Sequence, residues 1–230
     1  MHRVEIRQEI VDRVLARRGR YHLFDRLDPA KTAVVIIDMQ STFCEPGAPA
    51  EVPASRGIID NINRFNDELR RLGARVIWVN HANVHRDAQS DWRQFFDHFV
   101  ADDVRQRTIE SLAPEAIGQK VWHELKVQPG DLHVLKNRYS ALIPGASHLE
   151  RVLRSFGIEN LLIAGTKTNV CCESTARDAM MLDFNVVMVS DCLAALSDDE
   201  HRAALETFIQ QFGDVMSADE VLAVLRARRN

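Results

Sequence analysis

Five consecutive apolar residues, Ala33-Val34-Val35-Ile36-Ile37, run straight into Asp38-Met39-Gln40. A strand that is apolar at every position has no face to offer to water. It belongs in the middle of a parallel sheet covered by helices on both sides. A second such run, Leu161-Leu162-Ile163-Ala164, ends in Gly165 and leads into a stretch rich in Ala, Met and Leu that favours helix. Two buried parallel strands this far apart in sequence need crossover connections, and the chain supplies them. Further strands are predicted at 75–80, 132–135, 186–189 and 214–216. Helices are predicted at 58–72 (stopped by Gly73), 148–155 (closed by Gly157), 173–182, 200–212 and 218–228, the last begun by Ser217 as N-cap. This alternation predicts the α/β class: a three-layer α/β/α sandwich on a six-stranded, mainly parallel, doubly wound sheet.

Residues 1–30 stand apart as an N-terminal amphipathic helix and extension, with Val4, Ile10, Val11, Val14 and Leu15 at helical spacing. Three fates are open to it: lying on its own domain, lying on a neighbouring subunit, or remaining solvated. Residues 31–230 form the main domain. The least regular part, 81–125, carries Trp92, Phe95, Phe96, Phe99 and Trp122 and is expected to fold as short helices over the site, where specificity is decided.

The totals narrow the function. A net charge of −4 argues against nucleic acid as a partner, and no apolar span of about 18 residues marks a membrane segment. The four cysteines, Cys44, Cys171, Cys172 and Cys192, lack zinc-binding spacing, and a reducing cytoplasm suits them best. Neither cofactor nor metal is expected.

Three strand ends each hold one reactive group: Asp38 after the first, Lys136 after the third and Cys171 after the fourth. Open α/β sheets bind ligands at the carboxyl ends of their strands. A carboxylate, an ammonium and a thiol meeting there form a nucleophilic set. The start of a helix favours a thiolate at Cys171, and Lys136 would favour it further. Cys172 points about 100° away and is expected in the core, as is Cys192. Cys44 is structural or borders the crevice. Gln40, Phe43, Asn80, Trp92, Tyr139 and Asn169 are candidates for lining a substrate pocket, and Arg138 for clamping a substrate carboxylate. Arg177-Asp178 suggests surface ion pairing on a helix.

Asp38-Met39-Gln40, Lys136-Asn137-Arg138-Tyr139-Ser140-Ala141 and Gly165-x-x-Thr168-Asn169-Val170-Cys171-x-Glu173-Ser174-Thr175, in this order at strand ends, resemble the isochorismatase-like cysteine hydrolases. The similarity runs from about residue 32 to 223 and is greatest to the ureidoacrylate amidohydrolase branch, whose relatives split biuret, triuret and N-carbamoyl compounds. The resemblance implies an Asp38–Lys136–Cys171 triad and a non-proline cis peptide at Thr166–Lys167. It further implies an oxyanion hole formed by the Lys167 and Cys171 amides. It also implies a small amide or ureide substrate, a thioester intermediate, and a homo-oligomer, dimer or tetramer. Lys167 departs from the small residue usual there, and its side chain must leave the crevice or enter it as an added cation.

Metal-dependent nicotinamidase relatives carry an Asp-x-His arrangement after the first-strand aspartate, but 41–51 contains no histidine. His81 and His85 leave a strand without an obvious carboxylate ligand. Among rival functions, isochorismatases proper cleave a vinyl ether without a cysteine nucleophile. A nucleotide-binding domain would want Gly-x-Gly-x-x-Gly where this chain has Asp38-Met39-Gln40-Ser41-Thr42-Phe43. A third rival is a non-catalytic scaffold that keeps the fold and binds partners through its leading helix.

Overall fold

The computed structural model describes residues 2–86 and 89–227. Six strands form one sheet: β1 (Thr32–Ile37), β2 (Arg75–His81), β3 (Leu132–Lys136), β4 (Asn160–Thr166), β5 (Asn185–Ala194) and β6 (Asp214–Met216). Their spatial order is β3-β2-β1-β4-β5-β6, and every pairing is parallel. β1 is completely buried, as its apolar run Ala33–Ile37 demands, and the one polar residue, Thr32, donates to the Asp28 carbonyl.

The helices are α1 (Gln8–Arg18), the single turn α2 (Ser41–Cys44), α3 (Ile59–Leu72), α4 (Arg93–His98), α5 (Asp102–Ser111), α6 (Leu149–Ser155), α7 (Glu173–Met181), α8 (Asp198–Gln211) and α9 (Ala218–Arg226). Two apolar layers separate them. Val35, Ile37, Ile77 and Val79 on one face of the sheet pack with α1, α6, α7 and α8. Val34, Ile36 and Trp78 on the other pack with α3 and α9. α3 stops at Gly73 in the left-handed region, φ 92°. α9 begins with the expected Ser217 cap, closed into a reciprocal capping box by Glu220.

The leading helix lies on its own domain. Ile10 and Val14 enter the first apolar layer, the Arg7 guanidinium donates to the Glu206 carboxylate of α8, and Arg18 donates to the Ile209 carbonyl. β5 differs from expectation. Ser190, Asp191 and Cys192 lie inside the strand, because pairing with β4 is interrupted after Ile163–Met188 and resumes at Gly165–Leu193. This irregularity keeps the strand going to Ala194.

Between β2 and β3 the chain makes a long excursion. It contains a small hairpin pairing His85–Arg86 with Gln89–Ser90, then α4 and α5, and it forms a roof beside the strand ends. Asp131 fastens its far end by accepting from Arg70 and from the Trp78 indole N–H, 2.7 and 2.9 Å.

Candidate active site

β1 and β4 are neighbours, with Ile37 opposite Gly165. Gly165 has φ 108°, and a Cβ there would stand 2.1 Å from the Ile37 carbonyl oxygen, so only glycine allows so close an approach. One residue on, Asp38 adopts φ 54°, a left-handed conformation that Asp tolerates better than most residues. The chain therefore leaves β1 in a sharp turn beside the start of the nucleophile turn. That turn, Thr168–Cys172, is of π type and runs directly into α7. Val170 and Cys172 both donate to the Lys167 carbonyl, 3.1 Å each, and the Thr175 hydroxyl donates to the Cys171 carbonyl at 2.8 Å. The Thr166–Lys167 peptide is cis, as the resemblance implied.

Asp38, Lys136 and Cys171 come together. The Lys136 Nζ lies 2.8 Å from Asp38 Oδ2, both side chains fully buried. The nearby Cys171 thiol and the His81 backbone amide, like Lys136, favour the charged form of the carboxyl. Burial raises the Asp38 pKa against the pull of these groups. Burial works against the Lys136 ammonium, but its surroundings, the Asp38 carboxylate first among them, outweigh it and raise its pKa, so Lys136 stays charged. Burial first, then the Asp38 charge, pushes the Cys171 thiol up to about 12, against Lys136 and Lys167. The resting sulfur is thus a thiol. This corrects the expected thiolate: desolvation and the adjacent negative charge overcome the nearby cations and the helix start.

A residue weighed from the sequence only as a metal ligand completes the set. His81 is buried and hydrogen-bonds through Nδ1 to the Lys136 Nζ at 3.2 Å. Burial and the Lys136 charge hold its pKa well below the ordinary range, so the ring is neutral. Nδ1 then accepts from the ammonium, and Nε2–H donates to Asn83 Oδ1 at 2.6 Å. Asn83 donates in turn to Asp91 Oδ1 at 2.7 Å, and Asn137 donates to Asp91 Oδ2 at 2.8 Å. A continuous polar chain therefore joins the buried lysine to the roof.

Cys171 opens onto a cavity of about 480 Å³. Of the seven expected pocket residues, Phe43, Trp92 and Tyr139 are on its wall. Gln40, Asn80 and Asn169 are not. Gln40 is fully buried and straps the backbone: it accepts from His81 N–H at 2.7 Å and donates to the carbonyls of His81 and Gln119. Asn80 is half-buried one position before His81 on β2, and Asn169 is half-buried in the nucleophile turn. Arg138 lines a neighbouring groove, where its guanidinium donates to the carbonyls of Asn137 and Asp91 and lies 5.3 Å over the Trp92 ring. Lys167 lines the cavity, and its charge is near enough to favour the Cys171 thiolate.

Cys44, Cys172 and Cys192 are fully buried in the core, and Cys44 does not reach the cavity. Arg177 pairs with Glu173 one helical turn earlier, 2.5 Å, rather than with Asp178. Among the described residues no three His, Cys, Asp or Glu side chains gather as a metal-ion site.

The Isochorismatase domain family model matches residues 32–220. The chain belongs to the isochorismatase family. It is 30% identical to the ureidoacrylate amidohydrolase of Agrobacterium fabrum, over 86% of this chain and 92% of that protein. To the ureidoacrylate amidohydrolase of Pseudomonas savastanoi pv. phaseolicola it is 33% identical, over 85% and 84% of the two chains. The crystal structure of a cysteine hydrolase from Pseudomonas syringae pv. phaseolicola superposes with a TM-score of 0.77 at 29% identity, covering 87% of this chain and 95% of that one. This family member is an isochorismatase-like cysteine hydrolase of the amidohydrolase kind.

Proposed function

We propose that this isochorismatase-family enzyme cleaves a C–N bond of a small N-carbamoyl or ureido substrate through a thioester on Cys171. Ureidoacrylate-like acids are the first class to test, given the relatives' names. One observation carries the proposal: Cys171 is on a cavity wall and is backed by an ion pair, Asp38–Lys136, that has no access to solvent.

The steps follow from the protonation states. Burial raises Asp38 and so makes it a stronger base than an ordinary carboxylate, suited to taking the thiol proton as Cys171 attacks the carbamoyl carbon. The S–C bond forms, and the carbonyl oxygen takes up negative charge between the Lys167 and Cys171 backbone N–H groups. Losing one such donor costs about 100- to 1000-fold in rate. Asp38 then passes the proton to the departing nitrogen, the C–N bond breaks and ammonia leaves. Water gives a proton to Asp38 and its hydroxyl to the S-carbamoyl carbon. The S–C bond breaks as Asp38 returns that proton to the sulfur, and the carbamate product decays to amine and carbon dioxide. Lys136 remains an ammonium throughout and holds the carboxylate in place.

The test is an ammonia-release screen over ureido acids, biuret-like ureides and simple amides, with intact-protein mass spectrometry on the best substrate. Cys171→Ala should abolish both turnover and the acyl adduct while circular dichroism stays unchanged. Substantial turnover by that variant would refute the assignment.

A further inference from the structure

The cavity that Cys171 faces is larger and more aromatic than a short ureido acid requires. At about 480 Å³ it lies in the range that encloses whole drug-sized ligands. One wall is an aromatic cluster: Trp92 stacks on Phe95 with ring centres 4.9 Å apart, and Tyr139 meets Trp92 edge-on at 4.7 Å. Phe96 and Phe43 extend the apolar lining. Such a surface gains little from a chain of three or four polar atoms and much from a flat apolar body.

Two formal charges face this space, Glu51 and Lys167. Glu51 is already satisfied, with Oε1 2.9 Å from the Arg56 guanidinium and Oε2 accepting from the Gly47 N–H at 2.8 Å. Lys167 has no hydrogen-bond or ion-pair partner among the described residues. Its charge acts on Cys171, in the turn that Lys167 leads into. An unpaired ammonium near a nucleophile, in a pocket whose one carboxylate is already satisfied, favours an anion bound next to the reacting carbon. Arg138, the expected clamp, is committed to two carbonyls and a ring in the adjoining groove.

We propose that the preferred substrate is an N-carbamoyl α-amino acid with an aromatic or large apolar side chain, its carboxylate held by Lys167 and its side chain seated on the Trp92–Phe95–Tyr139 wall. This rests on the hydrolytic reading above and names the substrate class for the same site. The carboxylate one carbon from the ureido nitrogen then reaches Lys167 while the carbamoyl carbon meets Cys171.

Three probes separate the elements: N-carbamoyl-L-phenylalanine (acid and body), N-carbamoylglycine (acid without body) and phenethylurea (body without acid). The first should show a kcat/KM at least about tenfold above each of the others, in keeping with one charge-assisted contact or one buried ring. In Lys167→Met the ratio of N-carbamoyl-L-phenylalanine to phenethylurea should fall about tenfold, and Lys167→Arg should restore most of it. Because the ratio compares two substrates on one variant, it cancels any effect of the side chain on the backbone donor. Calorimetry on Cys171→Ala reads binding without chemistry and should give the same order. Equal or better turnover of N-carbamoylglycine or phenethylurea overturns the proposal while leaving hydrolysis standing. So does a ratio that survives Lys167→Met but collapses in Arg138→Gln. Binding in the stated order with no turnover of any ureide by the unaltered enzyme would instead overturn the hydrolytic reading.

Discussion

Replacing Lys136 with Met removes the side-chain cation paired with Asp38 and leaves the carboxylate sealed from solvent. Both side chains are fully buried at 2.8 Å. The change also deprives the Arg138 carbonyl and His81 Nδ1 of their donor, at 3.0 and 3.2 Å. Breaking a buried pair by removing one member destabilises by about 3–5 kcal/mol, because the survivor's charge is uncompensated. For a chain of 230 residues, at about 2–4 °C per kcal/mol, this is a fall in Tm of about 6–20 °C. The sign of the pH dependence follows from the direction of the shift. Burial already raises the Asp38 pKa in the folded state, and loss of the ammonium raises it further. A carboxyl whose folded pKa lies above its unfolded value, about 3.9, penalises the fold fully above the folded pKa and not at all below the unfolded one. The stability deficit of Lys136→Met should therefore shrink as the pH falls from 8 to 5. Urea unfolding at pH 5, 6, 7 and 8 measures it. The double variant Asp38→Asn/Lys136→Met, which carries no buried charge here, should recover more than half of the loss at pH 7. A double variant no more stable than the single one, together with a deficit indifferent to pH, would refute the reasoning.

Iodoacetamide should label Cys171 slowly at pH 7, with a rate rising about tenfold per pH unit to pH 9, because the resting thiol titrates near 12; a plateau below pH 8 would contradict this. Gly165→Ala combines a φ of 108° with a Cβ 2.1 Å from the Ile37 carbonyl, so β1 and β4 must part. It should lower stability by more than about 2 kcal/mol and activity by more than 100-fold in denaturant and ammonia-release assays; near-native values in both would show that the close approach is dispensable.

How much of this site the sequence discloses depends on strand parity. In β1 the unbroken apolar run from Ala33 to Ile37 made its central position readable, and Asp38 at its end was conspicuous for the same reason. Ser217, three residues before Glu220, likewise announced its own cap. Parity also holds information that composition conceals. Ile77 and Val79 face the layer that contains Cys171, and Val134 does too. Extending the alternation by two residues puts His81 and Lys136 on that same face, and Asn80 on the other with Trp78. The histidine was therefore legible as a site residue, whereas Asn80 drew attention only by being polar. The thiol's state was not legible, because a helix start and a lysine both argue for the anion and only burial reverses them. Gln40 was misleading in another way. A polar side chain beside a catalytic acid looks functional, yet its amide serves three backbone groups. Nor could periodicity foresee the interruption that carries β5 past Ser190, since it depends on how the neighbouring strand pairs.

The polar chain through His81, Asn83 and Asp91 has a bearing on how such an enzyme can change. The acid, the amine and the sulfur all come from the frame of the sheet, while most of the pocket's aromatic wall comes from one inserted stretch of backbone. That stretch is free to vary with little harm to the reactive centre, except along one tether. A substitution at Asp91, a residue on the protein's outer surface, would be felt through two side chains at the innermost ammonium. New substrate preferences should accordingly arise around that aspartate and seldom through it.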